Sequence, residues 1–180
     1  MTPIISEIFD LFARFGAEGY GEDLSLEKHM LQSAALAQSQ GAAGPVVVAA
    51  LLHDIGYFLH ADEGAEVSIH RDFEHESLGA AWLSRAFGED VTAPIALHVQ
   101  AKRYICAVEP GYFDLLSDAS RISLALQGGV MNTDEVAAFA KHPHLEAALV
   151  LRRCDDLGKD VALHTRRVED YENLMTASLR

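Results

Sequence analysis

The apolar positions along the chain recur at the spacing of helices, not of strands. Ile4, Ile5, Ile8, Leu11, Phe12 and Phe15 share one face of a helix that Gly16 stops. Leu26, Met30, Ala34 and Ala37 mark a second, which opens at Ser25 and ends before Gly41. Gly44-Pro45 breaks the chain, and from Val46 to about Leu59 the sequence is apolar nearly all round, as a central buried helix is. Residues 60–73 are polar and read as a loop. Further helices are predicted over Glu74–Phe87, Val91–Tyr104 with Pro94 in its first turn, Ser117–Leu126, Thr133–Ala140, Pro143 to about Leu157, and Arg166–Ala177. Alternating Val, Ile and Thr runs are nearly absent. The pattern predicts an all-α bundle of about seven to nine helices, a single domain over residues 1–180 with no internal repeat.

The candidate chemistry lies where polar residues interrupt these faces. His53-Asp54 cuts into the most apolar helix, and a buried carboxylate is costly unless it is paired or metal-bound. Such a pair is either a hydrogen-bonded core pair or two ligands of one metal centre, in which the carboxylate can bridge two metals. His29 sits between apolar residues of the preceding helix, and His75 opens the helix after the loop. His98 follows Ile95-Ala96-Leu97, and Asp155 lies beyond Leu149-Val150-Leu151. A lone histidine on such a face reads as a satisfied core residue. Four histidines and two aspartates from five helices read as a set of metal ligands. His60, His70, His142, His144 and His164 fit no ligand position and read as surface or loop residues.

Composition narrows the partners. Of 180 residues, 49% are hydrophobic, enough for a core, and 14 basic against 27 acidic side chains leave a net charge of −13. That balance excludes generic nucleic-acid binding and attraction to an anionic membrane. Cys106 and Cys154, both in apolar surroundings, read as reduced structural cysteines. The N-terminus lacks the basic region of a signal peptide, and the apolar run Val46–Leu52 is too short to span a bilayer. The expectation is a cytoplasmic protein with a small-molecule partner.

The order His29…His53-Asp54…Asp155, with Leu-Leu-His53-Asp54-Ile-Gly56 at its centre, resembles the HD-domain superfamily of metal-dependent phosphohydrolases. Further stretches narrow the likeness: Tyr20-Gly-Glu22, Leu26-Glu-Lys-His29-Met-Leu-Gln32, Glu74-His75-Glu-Ser-Leu-Gly79, His98-Val-Gln-Ala-Lys102, Ser120-Arg-Ile-Ser123-Leu-Ala-Leu-Gln127 and Leu151-Arg152-Arg-Cys-Asp155-Asp156. Over about residues 20–160 they resemble the mixed-valent diiron oxygenases that cleave the carbon–phosphorus bond of 1-hydroxy organophosphonates, relatives of myo-inositol oxygenase.

The resemblance implies two irons, Fe(II) and Fe(III), with Asp54 bridging. His29, His53 and Asp155 would complete one site, and His75 and His98 the other. It implies O2 as co-substrate and an organophosphonate chelated through its C1 hydroxyl and a phosphonate oxygen. A 1-hydroxy-2-(amino or trimethylammonio)ethylphosphonate would yield glycine or glycine betaine plus phosphate. It further implies that Lys102, Arg152, Ser120, Ser123 and Gln127 bind the phosphonate. Tyr20 and Glu22 would cover the iron, with Glu22 able to meet a substrate ammonium.

Spacing alone supports these five phosphonate positions: Ser120, Ser123 and Gln127 follow i, i+3, i+7 on one helix face, as a shared ligand requires. Lys102 shares a helix face with His98, and Arg152 with Asp155. Relatives often carry His-Asp-x-Gly-His, and this chain has Tyr57 at the final position, so Tyr57 takes a related role in catalysis beside Asp54 and Lys102 or the substrate differs. The expected assembly is a monomer or weak homodimer. Two other readings remain: an HD-type phosphohydrolase acting on a phosphate ester or nucleotide, and a non-catalytic HD domain, against which the retention of all six candidate ligands argues.

Overall fold

The computed structural model describes residues 2–19, 23–64 and 72–180, and among them it contains helices and no β-strand beyond isolated bridges. The helices are α1 (Pro3–Phe15), α2 (Leu26–Ser39), α3 (Gly44–Leu52), α4 (Ile55–Asp62), α5 (His75–Leu83), α6 (Glu89–Val108), α7 (Tyr112–Leu115), α8 (Asp118–Leu126), α9 (Thr133–Phe139), α10 (Leu145–Leu157) and α11 (Glu172–Ala177). A 3-10 turn, Val168–Tyr171, leads into the last. The all-α expectation holds.

Several elements form for the reasons legible in the sequence. α1 buries Ile4, Ile5, Ile8, Leu11 and Phe12, the face that the spacing marked. The Ser25 hydroxyl accepts the Lys28 amide at the start of α2, and Ser117 does the same for Ser120 at α8. α9 begins at Thr133, and its cap is Asn132 and not Thr133, in a capping box with Glu135.

Other boundaries differ. Gly44-Pro45 starts α3 instead of breaking the chain, because proline needs no amide partner in the first turn. The predicted helix from Val46 to Leu59 is two helices: His53 and Asp54 form the turn between α3 and α4, with Asp54 at φ −102° and ψ 12°. α4 extends to Asp62, into the expected loop. α6 begins at Glu89 and reaches Val108, so Pro94 lies inside the helix and not in its first turn.

α6 packs on α10, α5 and α3, while α2 packs on α3 and α10. These five helices, α2, α3, α5, α6 and α10, surround the buried polar groups. The main core runs from Ile4 of α1 through Val47–Leu52 of α3 to Leu151 of α10 and Met175 of α11. Gly44–Asp62 is apolar and long enough to cross a membrane by length and composition, which extends the short run read from the sequence. Yet 61% of its most apolar window is buried inside the fold, and the polar pair His53-Asp54 interrupts it.

Candidate metal centre

The turn at His53-Asp54 decides how the site is built. Within one helix, adjacent side chains diverge by about 100°. The break lets both aim at one point, where they meet His29 from α2, His75 from the start of α5, His98 from α6 and Asp155 from the last turns of α10. All six residues are buried.

Asp54 divides its two oxygens between two groups. Its Oδ2 lies 3.3 Å from His53 Nε2 and 3.6 Å from His29 Nε2. Asp155 Oδ1 joins this group at 3.2 Å from His29 Nε2 and 3.9 Å from His53 Nε2. The other oxygen, Oδ1, lies 3.3 Å from His75 Nε2 and 3.8 Å from His98 Nε2. Within each group the two imidazole nitrogens face one another at 3.2 Å.

These distances test the fit to metal ions. The Nδ1 atoms of His29, His53 and His98 each donate to a backbone carbonyl, of Gly158, Ala50 and Ile95, at 2.8–2.9 Å. With Nδ1 engaged there, each ring turns its Nε2 toward the carboxylates, and an Nε2 without its proton offers a lone pair to a metal. Nitrogens facing each other beside carboxylates need a positive charge between them, which a proton on His53 or a metal ion supplies. Electrostatics makes the same demand. Burial opposes charge on His53, but Asp54 and Asp155 raise it to about 9. Burial lowers His98 to about 3, helped by His75 and His53. Asp54 stays well below the usual carboxylate range despite burial, because His53 and His75 stabilise its anion. The donor set, imidazole with carboxylate, suits iron, zinc or manganese.

A pocket of about 60 Å³ adjoins the centre, lined by Asp54, His75, His98 and Asp155 and by Tyr57, Lys102, Ser120, Ser123, Gln127, Arg152 and Lys159 among others. About 10–15 Å³ holds one water, so the space suits a ligand of a few heavy atoms. Lys102 is buried and donates to Ser123 Oγ at 2.8 Å. Burial, Arg152 and Lys159 push its ammonium down to about 7, against the pull of Asp155 and Asp156. Arg152 is buried as well. Its Nη1 donates to Asp155 Oδ2 at 2.6 Å, its Nε to the Tyr112 hydroxyl at 3.2 Å, and its Nη2 to Asp156. Tyr112 donates to Asp156 in turn. Arg152 thus holds the oxygen of Asp155 that faces away from the histidines. Tyr57 stacks on the ring of His75, with centroids 4.5 Å apart. Burial and the nearby Asp54 and Asp155 hold its phenol well above its ordinary value, so it stays neutral.

All the predicted site residues that the structure describes come together at this centre or its pocket, with His29 and His53 behind the pocket wall. Tyr20 and Glu22 lie outside the described residues, as does His70. His60 stacks on Phe73, and His144 lies beside Glu89; neither belongs to the groups that meet at Asp54. Sequence reasoning missed Lys159, whose Nζ donates to Ser117 Oγ and Ser120 Oγ at 3.1 Å each. It follows Gly158, where α10 has ended, so no helix-face argument reaches it. Glu76 was also missed, although a signal existed: Glu76, Gly79, Ala80 and Leu83 repeat the spacing of a buried face.

Residues 26–157 match the model of the HD domain family. The chain is similar to hydroxymethylphosphonate dioxygenase of Gimesia maris, 41% identical over 177 residues, which are 97% of this chain and 88% of that protein. It is similar to the glycine-betaine-forming [1-hydroxy-2-(trimethylamino)ethyl]phosphonate dioxygenase of Leisingera caerulea, 41% identical over 90% of this chain and 83% of that protein.

Proposed function

With the chain belonging to the HD-domain family, we propose that it is a cytoplasmic diiron oxygenase that cleaves the carbon–phosphorus bond of a 1-hydroxyphosphonate. The observation that carries the proposal is the divided Asp54 carboxylate, one oxygen to each histidine pair, beside a pocket with three cationic side chains. Names of the two relatives support it, since both are phosphonate dioxygenases. The balanced reaction is R–CH(OH)–PO3H2 + O2 → R–COOH + H3PO4. For the 2-amino and 2-trimethylammonio ethyl substrates the carboxylate product is glycine or glycine betaine.

His29, His53, Asp54 and Asp155 would hold one iron, and Asp54, His75 and His98 the other. Bound iron in the Fe(II)/Fe(III) state supplies the redox chemistry that O2 activation needs. The protein's own side chains do the rest. Lys102 and Lys159, each steadied by a serine of α8, meet the phosphonate oxygens, with Ser120, Ser123 and Gln127 between them. Arg152 fixes the orientation of Asp155 and adds positive potential at the same wall. Tyr57, neutral at pH 7, covers His75 and can donate a hydrogen bond into the pocket. The anion fits here although the chain is acidic, because Lys102, Arg152 and Lys159 converge while the carboxylates Asp54 and Asp155 face the metals. The protein is expected to act as a monomer or weak homodimer.

The test is O2-dependent phosphate release from hydroxymethylphosphonate and from the 2-amino and 2-trimethylammonio 1-hydroxyethylphosphonates, using iron-loaded protein. EPR of the same samples should show a coupled Fe(II)/Fe(III) signal that changes with substrate. Phosphate release from a nucleotide or phosphate ester without O2, and none from the phosphonates with it, would replace this reading with hydrolysis.

A further inference from the structure

Three of the four ligand histidines hand the Nδ1 proton to a backbone carbonyl at 2.8–2.9 Å. His75 is built differently. Its Nδ1 lies 3.4 Å from Oε2 of Glu76, a carboxylate oxygen. That oxygen is buried and has no hydrogen-bond partner among the described residues, in a residue only 8% exposed. A buried carboxylate oxygen without a donor is costly, so the site as it stands is missing an interaction.

The local backbone holds the pair in place. Glu74 adopts the left-handed conformation, φ 54° and ψ 48°, which costs about 1–2 kcal/mol for a residue with a side chain. This turn starts α5 with both His75 and Glu76 facing inward. Gly56 then packs on the His75 backbone: a Cβ at position 56 would stand 2.0 Å from the His75 carbonyl oxygen. The His75 main chain is therefore pinned, and rotation of the Glu76 side chain is enough to close the gap. Glu76 also sits in the first turn of α5, where the helix dipole favours a carboxylate.

We propose that Glu76 is a positioning residue of the metal centre: it accepts the Nδ1 proton of His75 and strengthens that imidazole as a ligand. A metal on His75 Nε2 makes the Nδ1–H a better donor, and the orphaned oxygen receives it. An anionic acceptor backs the ring more strongly than a carbonyl does, so the metal bound by His75 and His98 is favoured in its more highly charged state. Glu76 touches neither substrate nor metal and acts through His75. The affinity role stands without the oxidation proposed above; only the preference for higher charge rests on it.

Mn(II) titration of metal-depleted protein, read by EPR, tests the proposal without O2 chemistry. For Glu76→Ala the affinity of the second metal is expected to fall about 10–100-fold, with the first changed little. Glu76→Gln keeps a neutral acceptor and should restore part of that loss. In the Zn(II)-loaded protein the His75 Nδ1–H proton resonance should move upfield in Glu76→Gln, a change that a packing role would not cause. Unchanged second-metal affinity in Glu76→Ala, or an unmoved His75 resonance, would overturn the assignment. So would equal loss of both metals together with a lowered Tm. Failure of phosphonate oxidation would remove the proposed function and leave this result standing.

Discussion

The two halves of the metal centre use the same residue types and differ in what surrounds them. His29 and His53, with Asp54 and Asp155, form a half that would offer a metal four protein ligands, and its imidazoles are 0–1% exposed and do not line the pocket. His75 and His98, with the other oxygen of Asp54, form a half with three, and both imidazoles line the pocket beside Lys102. The first half is closed by protein. The second would leave a bound metal coordination positions on the side where an anion can enter, as catalytic metal sites do. Ligand identity alone does not decide what a metal site does; the walls decide which half meets the substrate.

This contrast can be broken experimentally. The largest effect is expected for Asp54→Ala, which removes the shared carboxylate: metal analysis should show loss of paired binding and assays no O2-dependent phosphate release. Two metals still bound per chain would dismiss the bridge. His98→Ala should empty the open half alone, leaving about one metal per chain by the same analysis; loss of both would show that the halves do not bind separately.

Lys102→Met removes a buried charge from the open side, and KM should rise about 10–100-fold with Tm maintained. Lys102 also sets a pH dependence. Its ammonium is lowered to about 7, so it is charged below that pH and neutral above it. The kcat/KM for an anion should therefore fall as pH rises through about 7, and Lys102→Arg should carry that fall to higher pH. The smallest change is expected for Lys159→Ala, about 2–5-fold in KM, because the ammonium is only half-buried and screened by water.

How much was legible in the sequence follows from which signals are periodic. The all-α class came from the 3.6-residue recurrence, and the six residues that meet at Asp54 came from polar positions on apolar faces. The break at His53-Asp54 was not legible, because Val46 to Leu59 carries no proline and its glycine lies after the turn; the backbone there yields to the need to aim two adjacent side chains together. Pro94 misled in the opposite direction, since packing of α6 between α5 and α10 outweighs one lost hydrogen bond. Arg152 was placed correctly on the Asp155 face, and its pairs with Asp155 and Asp156 lie within α10, but its contact with Tyr112 depends on α7, a helix of four residues with too little pattern to predict.

One detail at the end of α10 ties chain topology to metal loading. The Gly158 carbonyl receives His29 Nδ1, and two residues on, Asp160 exchanges two hydrogen bonds with the Gln32 side chain, its carbonyl accepting at 2.6 Å and its amide donating at 3.0 Å. Residues 158–160 are thus stitched along one side of α2, and Asp155 just before them belongs to the same centre as His29. A cation joining His29 to Asp155 tightens both ends of this stitch at once. The Asp160 amide then becomes a clock for occupancy, exchanging its hydrogen with solvent slowly when the closed half is filled and faster when it is stripped.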